Sequence, residues 1–244
     1  MSASEGEIYT LGEHLLACGD CKDLSLVRKL VGSKKISLIL TDPPYGVNYI
    51  ATKKDFARVK KSKEIINDNI ENEKDYKTFT SNWLNAAVSH LALKNSCYIF
   101  NSDRMIFALK EAMEACGFRL AQILIWVKGS QVIGRRDYLA AHELIAFGWH
   151  GTHSFFKSKD RSVIFCPKPS ISPLHPTTKP LSLIRRLILN SSRIGDIIYD
   201  PFSGSGTILI ACEQTKRRCL AVEIDPAYCK TIIDRFDNLK GGKS

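Results

Sequence analysis

The chain has 244 residues, 44% of them apolar, which is enough for one large domain with a real core and excludes disorder as the default state. No apolar run approaches the roughly 18 residues of a membrane helix, and the opening "MSASEGEIYT" lacks the charged-then-apolar layout of a signal peptide; the expectation is a soluble intracellular protein without a membrane partner. Thirty-five Lys and Arg against 25 Asp and Glu give +10, a balance that suits contact with a polyanion.

Taken in chain order, "HLLACGD" (14–20) reads as a short strand and "LSLVRKLV" as a helix. "KISLILT" is a continuous apolar run, as expected for a strand covered on both faces. Lys53, Lys54, Arg58, Lys60, Lys61 and Lys63 follow in a basic segment (47–75) that reads as a mobile loop able to meet phosphates, a merely solvated loop being the alternative. "DYKTFTSNWLNAAVSHLAL" has helical spacing, "SCYIFNS" is the next strand, and "MIFALKEAMEACG" is a helix stopped at Gly117. "RLAQILIWVK" and "HELIAFGW" read as two longer strands, an antiparallel pair. "PLSLIRRLILNSS" is a helix, "DIIYDPF" a strand, "GTILIACEQT" a helix, "CLAVEID" a strand and "AYCKTIIDRFDNL" the last helix. This alternation predicts an α/β fold with a mostly parallel sheet, and no linker or repeat divides residues 1–244.

The eight cysteines are scattered through apolar segments and predict buried, reduced thiols; Cys18 and Cys21 have CxxC spacing, but no second pair completes a metal site. His142 and Glu143 in "AHELIAFG" lack the second histidine of HExxH, since position 146 is Ala, and read as a polar pair at a strand end. His150 and His153 read as loop histidines, and no metal is expected.

In such sheets ligands bind beyond the carboxyl ends of the strands. There "DPFSGSGT" (200–207) places Gly204 and Gly206 in a tight turn before a helix whose free N–H groups suit an anionic or carboxylate-bearing ligand. It is neither a GK[ST] phosphate loop nor a full dinucleotide fingerprint. Glu223, at the next strand end, can accept from both hydroxyls of a ribose, so the pair favours a nucleoside cofactor. "DPPY" (42–45) offers a complementary receptor: Asp42 accepts from an amino group, Pro43 and Pro44 force an extended turn with carbonyls outward, and Tyr45 supplies a flat face. Together they fit a planar ring bearing an exocyclic amine.

"TDPPYGVNY", "RRDYLAAHELIAFGW", "HPTTKPLSLIRRLI", "DPFSGSGTILIACEQTKRRC" and "VEIDPAYCKTIIDRF" occur in an order that resembles the beta class of amino-group DNA methyltransferases, especially phage-type and ParB-fused members. The resemblance implies a seven-stranded, doubly wound, circularly permuted methyltransferase sheet and S-adenosylmethionine as cofactor. It makes Asp42, Pro43, Pro44 and Tyr45 catalytic. It places Asp200, Phe202, Gly204, Gly206 and Thr207 on the methionine part of the cofactor, Glu223 on its ribose and Asp20 on its adenine. His175, Thr177 and Lys179 would close over the methionine end, with Lys179 meeting the carboxylate. Double-stranded DNA is the implied partner, met by Lys53, Lys54, Lys60, Lys61 and Lys63, with Arg135, Arg136 and Tyr138 near the base and a short target-recognition insertion at 149–174. A homodimer, a cognate restriction endonuclease and a cytoplasmic location in a bacterial or phage-infected cell belong to the same expectation. Asp at the first position of "DPPY" favours adenine-N6 over cytosine-N4 in that family; RNA amino groups, or a silent nucleic-acid-binding module, are the alternatives.

Overall fold

The computed structural model describes residues 3–44, 72–129, 137–157, 160–167 and 179–241. Tyr45, all six basic residues between Lys53 and Lys63, Arg135, Arg136, His175 and Thr177 lie outside the described residues.

The chain opens with a hairpin of β1 (Ile8–Leu11) and β2 (His14–Cys18), then α1 (Leu24–Val31) and β3 (Ile36–Thr41). Asp23 starts α1 by accepting from the N–H groups of Ser25 and Leu26, the ordinary remedy for orphan donors at a helix start. After α2 (Glu73–Val88), capped by Asn72, come β4 (Leu91–Asn101), α3 (Ile106–Ala115), β5 (Phe118–Val127) and β6 (His142–His150). Two short strands follow, β7 (Thr152–His153) and β8 (Val163–Phe165), then α4 (Leu181–Ser191), β9 (Ile197–Asp200), α5 (Thr207–Thr215), β10 (Arg218–Glu223) and α6 (Pro226–Lys240).

The strands form one sheet in the order β1-β2-β10-β9-β3-β4-β6-β5-β8, with β7 beside β4. From β2 to β4 every neighbour is parallel, and β6 runs antiparallel to both β4 and β5, as the paired apolar strands predict. Both faces are covered. Leu26, Leu30, Trp83 and Leu109 bring α1, α2 and α3 onto one face, while Leu187, Leu209 and Phe236 bring α4, α5 and α6 onto the other. Along β3 the faces alternate, with Ile39 in the first core and Leu38 and Leu40 in the second, so the run is apolar throughout.

Two expectations need correction. Among the described residues the sheet has ten strands rather than seven. Seven lie in the order β2-β10-β9-β3-β4-β6-β5; β1, β7 and β8 are added by two- to four-residue segments whose backbone pairing leaves little side-chain period to read. The helical reading of 75–93 also runs too far. α2 ends at Val88, and Leu91 already faces Ile36 across the sheet, leaving Leu93 exposed.

Candidate active site

Because β2, β10, β9 and β3 are parallel neighbours, their carboxyl ends share one rim, and Asp20, Glu223, Asp200 and Asp42 lie at or just beyond those ends. β3 and β9 are joined there by a side-chain bond: the Thr41 hydroxyl donates to Asp200 Oδ1 at 2.9 Å, and the Phe202 N–H donates to the same oxygen at 3.3 Å. Asp200 is fully buried; burial pushes its carboxyl up to about 7, against the opposing pull of those two donors. Through these bonds Asp200 braces the turn that follows β9.

The turn needs both its glycines. Gly204 has φ 53° and Gly206 φ 77°, the left-handed region that side chains resist, and a Cβ at Gly206 would lie 3.0 Å from two carbons of Ile232. Gly206 is the N-cap of α5 and brings no side chain to cap that helix's first donors. Glu223 holds the turn from β10: Oε2 accepts from the Gly204 N–H at 2.7 Å and Oε1 from the Asp225 N–H at 2.9 Å. The carboxyl is only 8% exposed, and burial raises it to about 7 despite those donors. Arg235 of α6 braces the other side, donating to the Ser205 carbonyl at 3.0 Å and to the Thr207 hydroxyl at 3.1 Å. Phe202 packs on Phe79 and edge-on to Trp83, each at 5.6 Å, making an apolar wall shared with α2. At the far end Asp20 accepts from the Lys22 N–H at 2.9 Å. Carboxylates at one end, an apolar wall and helix N–H donors at the other match a nucleoside that carries a charged amino-acid tail.

Asp42 lies on the other side of the β3–β9 junction. Its Oδ2 accepts from the Lys179 ammonium at 2.6 Å. That ammonium, 7% exposed, also sits 3.0 Å from Glu143 Oε2, and Lys128 meets Glu143 Oε1 at 2.8 Å. Phe100 and Trp126 line the lysine, with ring centroids 5.0 and 5.9 Å from its nitrogen. Burial alone would raise Glu143, but Lys179 and Lys128 hold its carboxyl down at about 2. Lys179, expected on the cofactor carboxylate, stands on Asp42. The cause is local: Lys179 precedes α4, whose side chains pack on the β3–β4 face, so the chain enters at the rim beside Asp42.

Asp42 thus meets Lys179, Pro43 and Pro44 follow it at the end of β3, and Asp20, Asp200, Phe202, Gly204, Gly206, Thr207 and Glu223 lie at or near the same rim. Tyr138 is 92% exposed. Glu143, Lys128, Thr41 and Arg235 were not anticipated as site residues. The signal for Glu143 was the polar pair at the start of "HELIAFGW", read in the right place without its partners.

A family model described as "DNA methylase" (N6/N4) matches residues 36–163 and 149–234. The chain is 26% identical to the Type II methyltransferase M.HpaI of Haemophilus parainfluenzae, over 89% of this chain and 73% of that protein. It is 26% identical to the Type II methyltransferase M.HinfI of Haemophilus influenzae, over 91% and 68%. Among solved structures it is similar to the cytosine-N4-specific PvuII DNA methyltransferase, with TM-score 0.71 and 16% identity over 98% of this chain and 97% of that one. It is also similar to the M1.HpyAVI–SAM complex, with TM-score 0.65 and 22% identity over 90% and 98%. With an acid at the end of β3, a glycine turn at the end of β9 and a family match across most of its length, the chain belongs to the N6/N4 DNA methylases, which use S-adenosylmethionine.

Proposed function

We propose that the protein methylates the N6 amino group of adenine in a short double-stranded DNA sequence. The observation that carries the reading is the adjacency of two half-sites, the Asp42 acceptor beyond β3 and the glycine turn beyond β9, linked through Thr41 and Asp200. When bound, S-adenosylmethionine supplies a methyl carbon on a positively charged sulfur, so the amine lone pair forms the N–C bond while the C–S pair stays with sulfur. Glu223 and Asp20 accept from the nucleoside end, and the α5 N-terminus and the Phe202 wall hold the amino-acid end.

The chain's own work on the base is orientation. An aromatic amine is a poor nucleophile because its lone pair is spread into the ring. Asp42 and the Pro43 carbonyl accept its two N–H bonds, which favours a pyramidal nitrogen with the lone pair projecting toward the methyl group. The proton shed after transfer leaves by way of Asp42 to solvent. Reaching the amine requires flipping the base from the duplex, at about a few kcal/mol. The basic segment 47–75, Arg135, Arg136 and Tyr138 are assigned to DNA, and 149–174 to target recognition, within a single methyltransferase domain working in the cytoplasm.

Asp at the first motif position supports adenine. The likeness to a cytosine-N4-specific enzyme favours N4 as the second reading. Incubating DNA with the protein and isotopically labelled S-adenosylmethionine, then digesting to nucleosides for mass spectrometry, is expected to give labelled N6-methyladenine. Labelled N4-methylcytosine alone would overturn the choice of base.

A further inference from the structure

Asp42, Lys179, Glu143 and Lys128 form an unbroken chain of alternating charge, with contacts of 2.6, 3.0 and 2.8 Å. Three sheet strands and the start of α4 contribute to it: Asp42 follows β3, Lys128 follows β5, Glu143 is the second residue of β6 and Lys179 precedes α4. Such convergence costs desolvation at each member, and a buried ion pair is weak evidence for stability alone. Nothing in the β3 strand requires its terminal acid to be paired, since Thr41 already ties β3 to β9.

The geometry points to Glu143 as a positioning residue for methyl transfer: it grips Lys179 and offsets its charge, so that Asp42 stays aimed while remaining a strong acceptor for the target amine. This rests on the reading of Asp42 as that acceptor. The physical need is clear from signs. An ammonium 2.6 Å from Asp42 fixes one carboxylate oxygen and favours the ionised acid, but by itself it also competes with the amine and opposes positive charge growing on the attacking nitrogen. A carboxylate 3.0 Å behind the ammonium cancels much of that opposition, and Lys128 in turn keeps Glu143 ionised. The aromatic walls of Phe100 and Trp126 exclude water from the lysine and so strengthen each term. Among the described residues, the Asp42 charge is also felt by the Tyr76 hydroxyl of α2, which accepts from Asn101 and whose proton it helps to hold, and Asp200 lies behind Thr41.

The test is the pH dependence of single-turnover methylation in Lys179→Gln, Glu143→Gln and Lys128→Gln, with circular dichroism and cofactor affinity by calorimetry measured alongside. The alternating chain predicts alternating shifts of the acid limb. Lys179→Gln should move it up by about one pH unit or more, Glu143→Gln down, and Lys128→Gln up by less, as opposite and like charges within a few ångströms dictate. Glu143→Gln should also lower the plateau rate at least tenfold, because an unbalanced Lys179 then holds Asp42 away from the amine. Cofactor affinity should stay within about twofold in all three. A shared direction of shift, or none, would overturn the inference, as would loss of cofactor affinity in Lys179→Gln with the acid limb unmoved. Should one of the lysine variants fail to fold, the opposite signs expected of the other and of Glu143→Gln decide the matter; should Glu143→Gln itself fail, Glu143→Ala takes its place with the same expected downward shift. Asp42→Ala separates the two levels of argument: turnover surviving in it refutes the acceptor reading itself, whereas an inactive Asp42→Ala with unmoved limbs elsewhere refutes only the role of Glu143.

Discussion

Raising the pH from 6 to 7 should tighten S-adenosylmethionine binding about fivefold, and the reason lies in Glu223. Burial between the glycine turn and α6 lifts its carboxyl from 4.5 to about 7, so about a tenth is ionised at pH 6 and half at pH 7. The ionised form has lone pairs to spare for two ribose hydroxyls after serving the Gly204 and Asp225 N–H groups; the protonated form gives one oxygen up to its own proton. The same shift carries a stability cost with a definite sign. A carboxyl raised above its unfolded value contributes stability that is fully present below about 4.5 and lost as pH rises through about 7, here about 3 kcal/mol, and Asp200 adds a loss of the same sign. Cofactor that engages the ionised Glu223 reverses this loss, so its stabilising effect should grow across the same window. Calorimetry at pH 6, 6.5 and 7 in two buffers of different ionisation enthalpy should show binding with release of about 0.9 proton at pH 6, falling to about half a proton at pH 7. Glu223→Gln should bind more weakly and lose the dependence. Flat wild-type affinity with no proton release would refute the assignment of Glu223 to the ribose.

Asp42→Ala should abolish methyl transfer while calorimetry still detects cofactor, and Gly204→Val, strained at φ 53°, should lose cofactor first; equal loss of cofactor in both would refute the division of the rim. Changing Lys60, Lys61 and Lys63 to Ala should weaken binding to all DNA sequences alike and flatten the plot of log affinity against log salt by up to about three units, read from titrations at several salt concentrations; an unchanged slope would return the segment to a solvated loop.

Most of the architecture was legible because helix and strand alternate with clear periods. β3 and β6 read cleanly, one buried on both faces and the other paired antiparallel with β5. β8 did not, since three residues held by backbone bonds to β5 carry too little period. The acids at the rim were found by looking beyond the carboxyl ends of parallel strands. That same rule hid Glu143, because β6 runs the other way and brings its amino end to the rim. Arg235 was invisible for a different reason: its partners are a carbonyl and a hydroxyl on the glycine turn, and a lone arginine in an amphipathic helix looks like any solvated one. Lys179 was singled out for the cofactor, but its pairing with Asp42 was not legible, since proximity to the cofactor motif in sequence says nothing about which strand the entry to α4 will meet.

The bond between Thr41 and Asp200 spans 159 positions of the chain, and that span has a consequence during biosynthesis. At about 5–20 residues per second, roughly 8–30 s separate the emergence of the two partners from the ribosome. Throughout that interval β3, a central strand apolar on both faces, has no β9 to pair with, and its open edge is a template for neighbouring nascent chains. The exposure to chaperones and to aggregation during that pause follows from the separation of β3 and β9 along the chain.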